Sequence, residues 1–467
     1  MSSQQQQPHM VLMPSSGAGH VIPFLKVAGA LASQNCRVTL ITSYPLVSQA
    51  ESALITRFLT LYPQVTEKQF HLLLLHLPPN DHSDDSSKDP FFRQWELIHR
   101  SLPRLSDILK SLSPPADALL SDISLMSSTI SVTESLNIPN YVLFASSARM
   151  FAFFAYYPAL SDALSGSAGE DELLEIPGLE GLPKSSVPPL LKDTTSPFAT
   201  MLRANNDCIK KFDGFLINTC DVLEGKTVRA LKSGKIVDGM PPIFDFLYPP
   251  WEPEKVKGSR STAWERWLDE QLPASVVYVS FGSRAPLSRE QTIEVAKALI
   301  SCNYPFMWVA KFSVVDKDDG QSMHQVLGAD LTRQVKEKGV VVQDWVDQQQ
   351  IIGHKSVGGF VTHCGWNSIL EASSNGVPML GWPQGGDQGI IGVAIAECGV
   401  GMLGGKWGWN GEFVVKGEEI GMRIREMMES QKLRSRAAEV MEDIDKAVAR
   451  GGVCDRTLKQ FINKFMS

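Results

Sequence analysis

Two apolar runs in the second half of the chain, each ending in a polar turn, restrict what it can fold into. Gly359-Phe360-Val361-Thr362 has the composition of a buried strand. It leads through His363-Cys364-Gly365-Trp366-Asn367-Ser368 into Ile369-Leu370-Glu371-Ala372, which reads as a helix opening. A strand, a glycine turn and a helix start bring free backbone N–H groups and the positive end of a helix dipole to one point, an anion site. His363, Asn367 and Ser368 add side-chain donors there. The second run, Gly376–Trp382, ends in Pro383 and the polar pair Asp387-Gln388. In an open α/β sheet, ligands lie beyond the carboxyl ends of the strands, so both polar clusters would face one crevice. Trp345 follows a third run, Gly339–Gln343, and can present its indole face to the same place. An aromatic face, a phosphate cradle and a carboxamide–carboxylate pair point together to a nucleotide-sugar.

A chain of 467 residues is too long for one ordinary domain. Its formal charge of −7 is spread along the sequence and argues against a nucleic-acid partner. No run approaches ~18 consecutive apolar residues, so no membrane span is expected. The N-terminus has no basic-then-apolar leader pattern, which makes the cytoplasm the expected location. The seven cysteines (Cys36, Cys208, Cys220, Cys302, Cys364, Cys398, Cys454) are odd in number and widely spaced. Reduced thiols are expected rather than a disulfide frame or a zinc site.

Strands are predicted over 9–16, 36–42, 70–77, 117–122, 140–145 and 214–218, with a helix over 21–33 and an aromatic-rich helix after 145. Residues 161–198 read as a long loop. The proline-rich stretch 239–261 reads as a linker, and a second strand–helix series follows it, with strands over 276–280, 306–310, 340–343, 359–362 and 379–382. Two such series predict two doubly wound, Rossmann-like α/β domains facing a cleft. The boundaries are 1–240 for an acceptor-binding domain, 241–262 for the linker, 263–450 for a donor-binding domain, and 451–467 for a C-terminal helix packing back on the first domain. Within the first βαβ unit, Gly17 and Gly19 form only part of a dinucleotide fingerprint. Ile22 stands where the third glycine belongs, and no acid closes the second strand.

The segment Trp345–Gln388 resembles the 44-residue signature of plant family-1 UDP-dependent glycosyltransferases, and its spacing agrees throughout. Trp267-Leu268-Asp269 with Gln271 is similar to that family as well. The departures are Asp347, where the family usually has proline, and Gly385-Gly386, where an aromatic residue often precedes the acid. The resemblance implies the glycosyltransferase B fold and a site read residue by residue. Trp345 stacks on uracil and the Val346 backbone pairs with the base. Gln348 and Glu371 bind the ribose hydroxyls. Ser283, His363, Gly365, Asn367 and Ser368 hold the diphosphate. Trp366, Asp387 and Gln388 contact the sugar, and the final glutamine points to glucose. UDP-glucose is then the donor, no metal is required, and the protein is expected to act as a monomer.

His20 follows a strand and a glycine turn, where it reads either as a general base of suitable pKa or as a helix-capping histidine. Asp122 ends a strand of the same domain and reads either as an orienter of that base or as an N-cap for the helix from Ser124. The family resemblance favours a catalytic pair for both. Asp443-Ile444-Asp445 formally fits a metal-binding DxD, but it lies in a helical pattern that sends the two acids to different faces. Asp89-Pro90-Phe91-Phe92 reads as the start of an amphipathic helix and also resembles an Asp-Pro-Phe segment of flavonoid C-glucosyltransferases. So does the opening Met13–His20. A flat phenolic acceptor (flavonoid, dihydrochalcone or 2-hydroxyflavanone) is expected among Asp89, Phe91, Phe92, Phe151 and Phe154. C-glucosylation is the leading reading, with O-glucosylation of flavonoid hydroxyls as the alternative. The rivals from other classes are an NAD-dependent oxidoreductase, weakened by the incomplete fingerprint, and a silent nucleotide-sugar binder, weakened by His20 and Asp122.

Overall fold

The computed structural model describes residues 7–46, 48–73, 90–166, 169, 172–250, 262–282, 286–311, 322–344, 346–405, 407–409 and 412–466, with backbone alone at 90–92. Ser283, Trp345 and Asp89 lie outside the described residues, as do the side chains of Phe91 and Phe92. Among the described residues fifteen strands run in chain order: β1 His9–Met13, β2 Arg37–Tyr44, β3 Thr66–His71, β4 Ala118–Asp122, β5 Asn140–Phe144, β6 Leu173–Leu174, β7 Leu182–Pro183, β8 Gly214–Ile217, β9 Ile243–Asp245, β10 Val276–Ser280, β11 Phe306–Val309, β12 Gly339–Val342, β13 Val357–Thr362, β14 Met379–Gly381 and β15 Gly401–Leu403.

They form two parallel sheets, ordered β3-β2-β1-β4-β5-β8-β9 and β12-β11-β10-β13-β14-β15, with β6 and β7 as a small antiparallel pair. All residues of β1, β4, β5, β10 and β13 are buried. This is why those strands read as nearly unbroken apolar runs, since a parallel sheet is covered by helices on both faces. In each sheet the chain order reverses beside the first strand: β1 lies between β2 and β4, and β10 lies between β11 and β13. Ligand sites belong at such switch points. The largest apolar core is continuous across the domains, joining Leu216, Phe244 and Leu40 to Trp366, Ile391 and Val440. Among the described residues, no helix is long and apolar enough to cross a membrane.

Two stretches differ from the expectation. The 241–262 linker contains β9, which pairs with β8 through Phe215–Ile243 and Leu216–Phe244. Pro241 and Pro242 precede the strand and Pro249, Pro250 and Pro253 follow it, so none takes a place in this edge strand, and Ile243, Phe244 and Phe246 carry the strand signal. The 161–198 loop is structured as well. The helix Ala148–Ser165 runs on past Pro158, and the β6/β7 pair and two short helices, Pro189–Lys192 and Pro197–Asp207, follow.

The last helix, Val453–Asn463, returns to the edge of the first sheet. Phe461 is fully buried and meets Tyr141 and Phe244 edge-on, with ring centroids 5.1 and 5.3 Å apart. Removing a buried phenyl ring costs roughly 3–5 kcal/mol. Phe461→Ala is therefore expected to lower the unfolding free energy by about that amount in denaturant titration. A loss well under 1 kcal/mol would mean that the helix is not part of the first domain's core.

Candidate active site

The first sheet brings one pair of side chains together from positions 102 apart. His20 lies in the first turn of the helix Ala18–Ser33, which begins at Gly17 with φ 97°, a conformation that favours glycine. Its Nδ1 is 2.8 Å from Asp122 Oδ2. Asp122 ends β4 and is fully buried. Its other oxygen, Oδ1, accepts from Ser124 N at 2.9 Å and from Ser124 Oγ at 2.7 Å. Burial pushes the Asp122 carboxyl up, but His20 and the Ser124 donors outweigh it and hold the acid below its ordinary range. Asp122 thus makes the capping contact with one oxygen and the contact with His20 with the other.

The second sheet supplies a cluster of unsatisfied donors and acceptors at the ends of β10 and β13. His363 follows β13 and packs against Gly282 and Gly365. A methyl group on Gly282 would lie 2.8 Å from His363 Nε2, so only glycine fits. Burial pushes the His363 imidazole down to about 4, against a weaker opposing effect of the Ser280 backbone, so the ring is neutral at pH 7. His363 Nδ1 and Asn367 Oδ1 are buried and without a partner. Buried polar groups are rarely left so. They lie beside the N-terminus of the helix Trp366–Ser374, whose cap, Gly365, supplies no side-chain hydrogen bond. Between them Cys364 adopts φ 68°, an uncommon conformation for a residue with a side chain. Its thiol is pushed far up by burial, which suits packing and not nucleophilic attack. None of the seven cysteines is paired.

A second polar cluster lies one turn further on. Gln348 Nε2 donates to Ser368 Oγ at 2.9 Å and to Glu371 Oε2 at 2.8 Å, and Tyr278 OH donates to Gln348 Oε1 at 3.3 Å. Burial raises the Glu371 carboxyl, and Lys26, on the His20 helix of the other domain, opposes that rise. Val346 packs on the shared core. Asp347 caps the helix Gln348–Ile352 by accepting from Gln350 N at 3.2 Å, which gives the acid found there in place of proline a structural role.

Asp387 precedes the helix Gln388–Cys398 and accepts a hydrogen bond from Ser146 Oγ, which crosses from the first domain. Gln388 Oε1 accepts from Gln384 N at 2.8 Å and Gly385 N at 2.9 Å. Three expected contacts are corrected. The Trp366 ring is buried in the shared core, and its Nε1 donates to Asn218 O at 2.7 Å, so the side chain braces the two domains rather than facing a sugar. Phe151 and Phe154 are core residues against Phe144 and Phe215, not pocket walls. An aromatic-rich helix declares that it is buried without declaring against what. Asp443 pairs with Lys446 on an exposed helix face while Ile444 is buried.

Sequence reasoning missed Ser16, Ser146 and Asn218, each of which follows a strand of the first sheet. Ser16 Oγ and Asn218 Nδ2 are buried without partners. Their signal was position, since the switch-point rule applies to every strand end. Hydrogen bonds from Ser146 to Asp387 and from Trp366 to Asn218, with the electrostatic attraction between Lys26 and Glu371, show the carboxyl ends of the two sheets facing each other.

Residues 259–400 match the family model described as UDP-glucoronosyl and UDP-glucosyl transferase. The chain is 46% identical to UDP-glycosyltransferase 708G2 of Citrus unshiu, covering 98% of this chain and 96% of that protein. It is 39% identical to UDP-glycosyltransferase CGT of Oryza sativa subsp. japonica, covering 97% and 95%. Among solved structures, LpCGTa in complex with UDP superposes with a TM-score of 0.85 at 38% identity, covering 99% of this chain and 100% of that one. Two doubly wound parallel α/β sheets whose carboxyl ends face each other make the glycosyltransferase B fold. The chain belongs to the plant family-1 UDP-dependent glycosyltransferases.

A neutral His363 facing a diphosphate would be drawn toward protonation. UDP-glucose has no group of its own titrating between pH 5 and 8, so its binding near pH 6 is expected to take up protons, with little uptake at pH 8. Calorimetry in two buffers of different ionisation enthalpy measures this. In the unliganded protein the sign is opposite. The depressed folded-state pKa contributes stability that is complete above 6.5 and is lost as pH falls toward about 4. Equal heats in both buffers at pH 6 would show that His363 stays neutral when the donor binds.

Proposed function

We propose that this protein transfers glucose from UDP-glucose, with inversion, to a phenolic acceptor of flavonoid, dihydrochalcone or 2-hydroxyflavanone type, and that it forms a C-glucoside. The observation that carries the reading is the His20–Asp122 pair, 2.8 Å apart with the carboxylate fully buried. An ionised Asp122 keeps the proton of neutral His20 on Nδ1, so Nε2 is the nitrogen that receives a phenolic proton. Asp122 then stabilises the imidazolium. The resulting phenolate shares its charge with the ring carbon ortho to oxygen. If that carbon is aimed at the anomeric centre, a carbon–carbon bond forms as the bond from the anomeric carbon to the diphosphate oxygen breaks and UDP departs. The ring then loses the proton from that carbon to regain aromaticity. If the oxygen is aimed instead, an O-glucoside results, because the nucleophile is ambident and positioning decides.

In this reading His363, Asn367, Ser368 and the helix start at Gly365 hold the diphosphate without a metal. Gln348 and Glu371 hold the ribose, and Asp387 and Gln388 hold the sugar. The C-transfer choice is supported by the likeness to the rice UDP-glycosyltransferase CGT and to LpCGTa.

The test is to supply UDP-glucose and a dihydrochalcone bearing a trihydroxylated ring, then heat the product in acid. A carbon-linked glucoside survives, whereas release of glucose would establish O-transfer and overturn the C-transfer reading. His20→Ala is expected to lower turnover by about 10²–10⁴-fold while UDP binding is retained. Near-normal turnover would remove His20 as the base.

A further inference from the structure

The helix Gln388–Cys398 belongs to the second domain by sequence, but the first domain holds it along its length. It has 11 residues and so is about 16 Å long. At its start, Asp387 takes the Ser146 hydroxyl, and the Gly389 Cα lies so close to the Ser186 carbonyl that a methyl there would collide with it. In its middle, Ile390 is buried in the first domain's aromatic core with Phe151 and Phe154. At its far end, the Glu397 carboxylate is paired with the Arg149 guanidinium, and Cys398 Sγ lies 3.5 Å from Val222 O. Ser146 and Arg149 are only three residues apart, yet they hold opposite ends of the helix.

Arg149 is held on its own side through its backbone and through Nη2, while its Nε is buried without a hydrogen-bond partner. It is 3% exposed. Its Nη2 donates to Glu180 O at 3.0 Å. Its backbone N and that of Ala148 donate to the buried carboxylate of Glu224 at 2.9 and 2.8 Å, and Thr219 Oγ1 donates to the same carboxylate at 2.8 Å. Several atoms are therefore committed to holding one side chain rigid, and that side chain reaches across the domain boundary to a single partner. The catalytic reading gives this arrangement no role in the chemistry. If only domain adhesion were needed, the apolar contacts of Ile390 and Trp366 would supply it without burying a charge.

We propose that Arg149 is a positioning residue for the sugar subsite. Through Glu397 it fixes where the Gln388–Cys398 helix lies against the first domain, and so holds Asp387 and Gln388, at the other end, at a set place relative to His20. A helix transmits a displacement along its axis nearly undiminished, because its backbone hydrogen bonds resist stretching. The donor sugar is held by the second domain and the base by the first, so an error at this helix becomes an error between the anomeric carbon and the nucleophile. This inference rests on the reading that Asp387 and Gln388 contact the sugar.

The experiment compares the full-length wild type with Glu397→Ala, Arg149→Met and Arg149→Lys. It measures the dissociation constants of UDP and of UDP-glucose, and the share of consumed UDP-glucose that is hydrolysed rather than transferred. Because misplacement of about 1 Å costs up to about 100-fold, Glu397→Ala and Arg149→Met are each expected to weaken UDP-glucose about tenfold and to raise the hydrolysed share. UDP, which lacks the sugar, should stay within about twofold. Arg149→Lys should recover part of the loss. The double variant should be no worse than the worse single one, since both remove one interaction. Parallel weakening of UDP and UDP-glucose would show a merely structural role and overturn the proposal, as would no change in either. If Arg149→Met fails to fold, Glu397→Ala decides the matter, since the Glu397 side chain is 35% exposed. A wild type that binds UDP-glucose but does not glucosylate phenols would sink the acceptor reading alone and leave the binding comparison intact.

Discussion

Parallel strands buried on both faces gather much of the unsatisfied polar chemistry of the described residues at one place. Within β1, β4, β5, β10 and β13 every residue is buried and every backbone group has a ladder partner to find. Where those strands end, the covering helices have not yet begun, and side chains there are neither core nor solvent. His20, Asp122, Ser146 and Asn218 occupy such positions on one sheet, and His363, Asn367 and Asp387 occupy them on the other. The two sets meet because the apolar core continues from one sheet to the other. The orphaned atoms Ser16 Oγ, Asn218 Nδ2, His363 Nδ1 and Asn367 Oδ1 follow from that geometry. They are costs of folding that a bound ligand can relieve.

The electrostatics of the two sides differ in a way that suits their tasks. Asp122 is buried and held ionised, because His20 and Ser124 supply donors to both of its oxygens. His363 is held neutral, because burial of its imidazole disfavours the charged form. One histidine is thus prepared to gain a proton with an anion behind it, and the other to donate to an anion in front of it. Identical side chains acquire different chemistry from what each is buried against.

Much of this was legible in the chain. The strands showed as apolar runs because parallel sheets hide both faces, and the turns after them showed as glycine-rich polar clusters. The segment from residue 345 to 388 was legible because its chemistry is local in sequence. What was illegible was long-range or depended on which way a side chain faced. Trp366 lies among donor-site residues, and only packing shows that its ring turns to Asn218. Phe151 and Phe154 are apolar in either reading. The strand β9 was masked by its neighbouring prolines, and the ion pair between Arg149 and Glu397 joins positions 248 apart, which no periodicity reveals.

The return of the last helix also constrains the order in which the molecule can be made. Tyr141 and Phe244 lie in the first domain, and the ring that covers them, Phe461, lies near the chain's end. Domains usually fold in turn as they leave the ribosome. Here the first domain keeps an uncovered aromatic edge until Phe461 has emerged behind the whole second domain, so its final closure follows the synthesis of its neighbour.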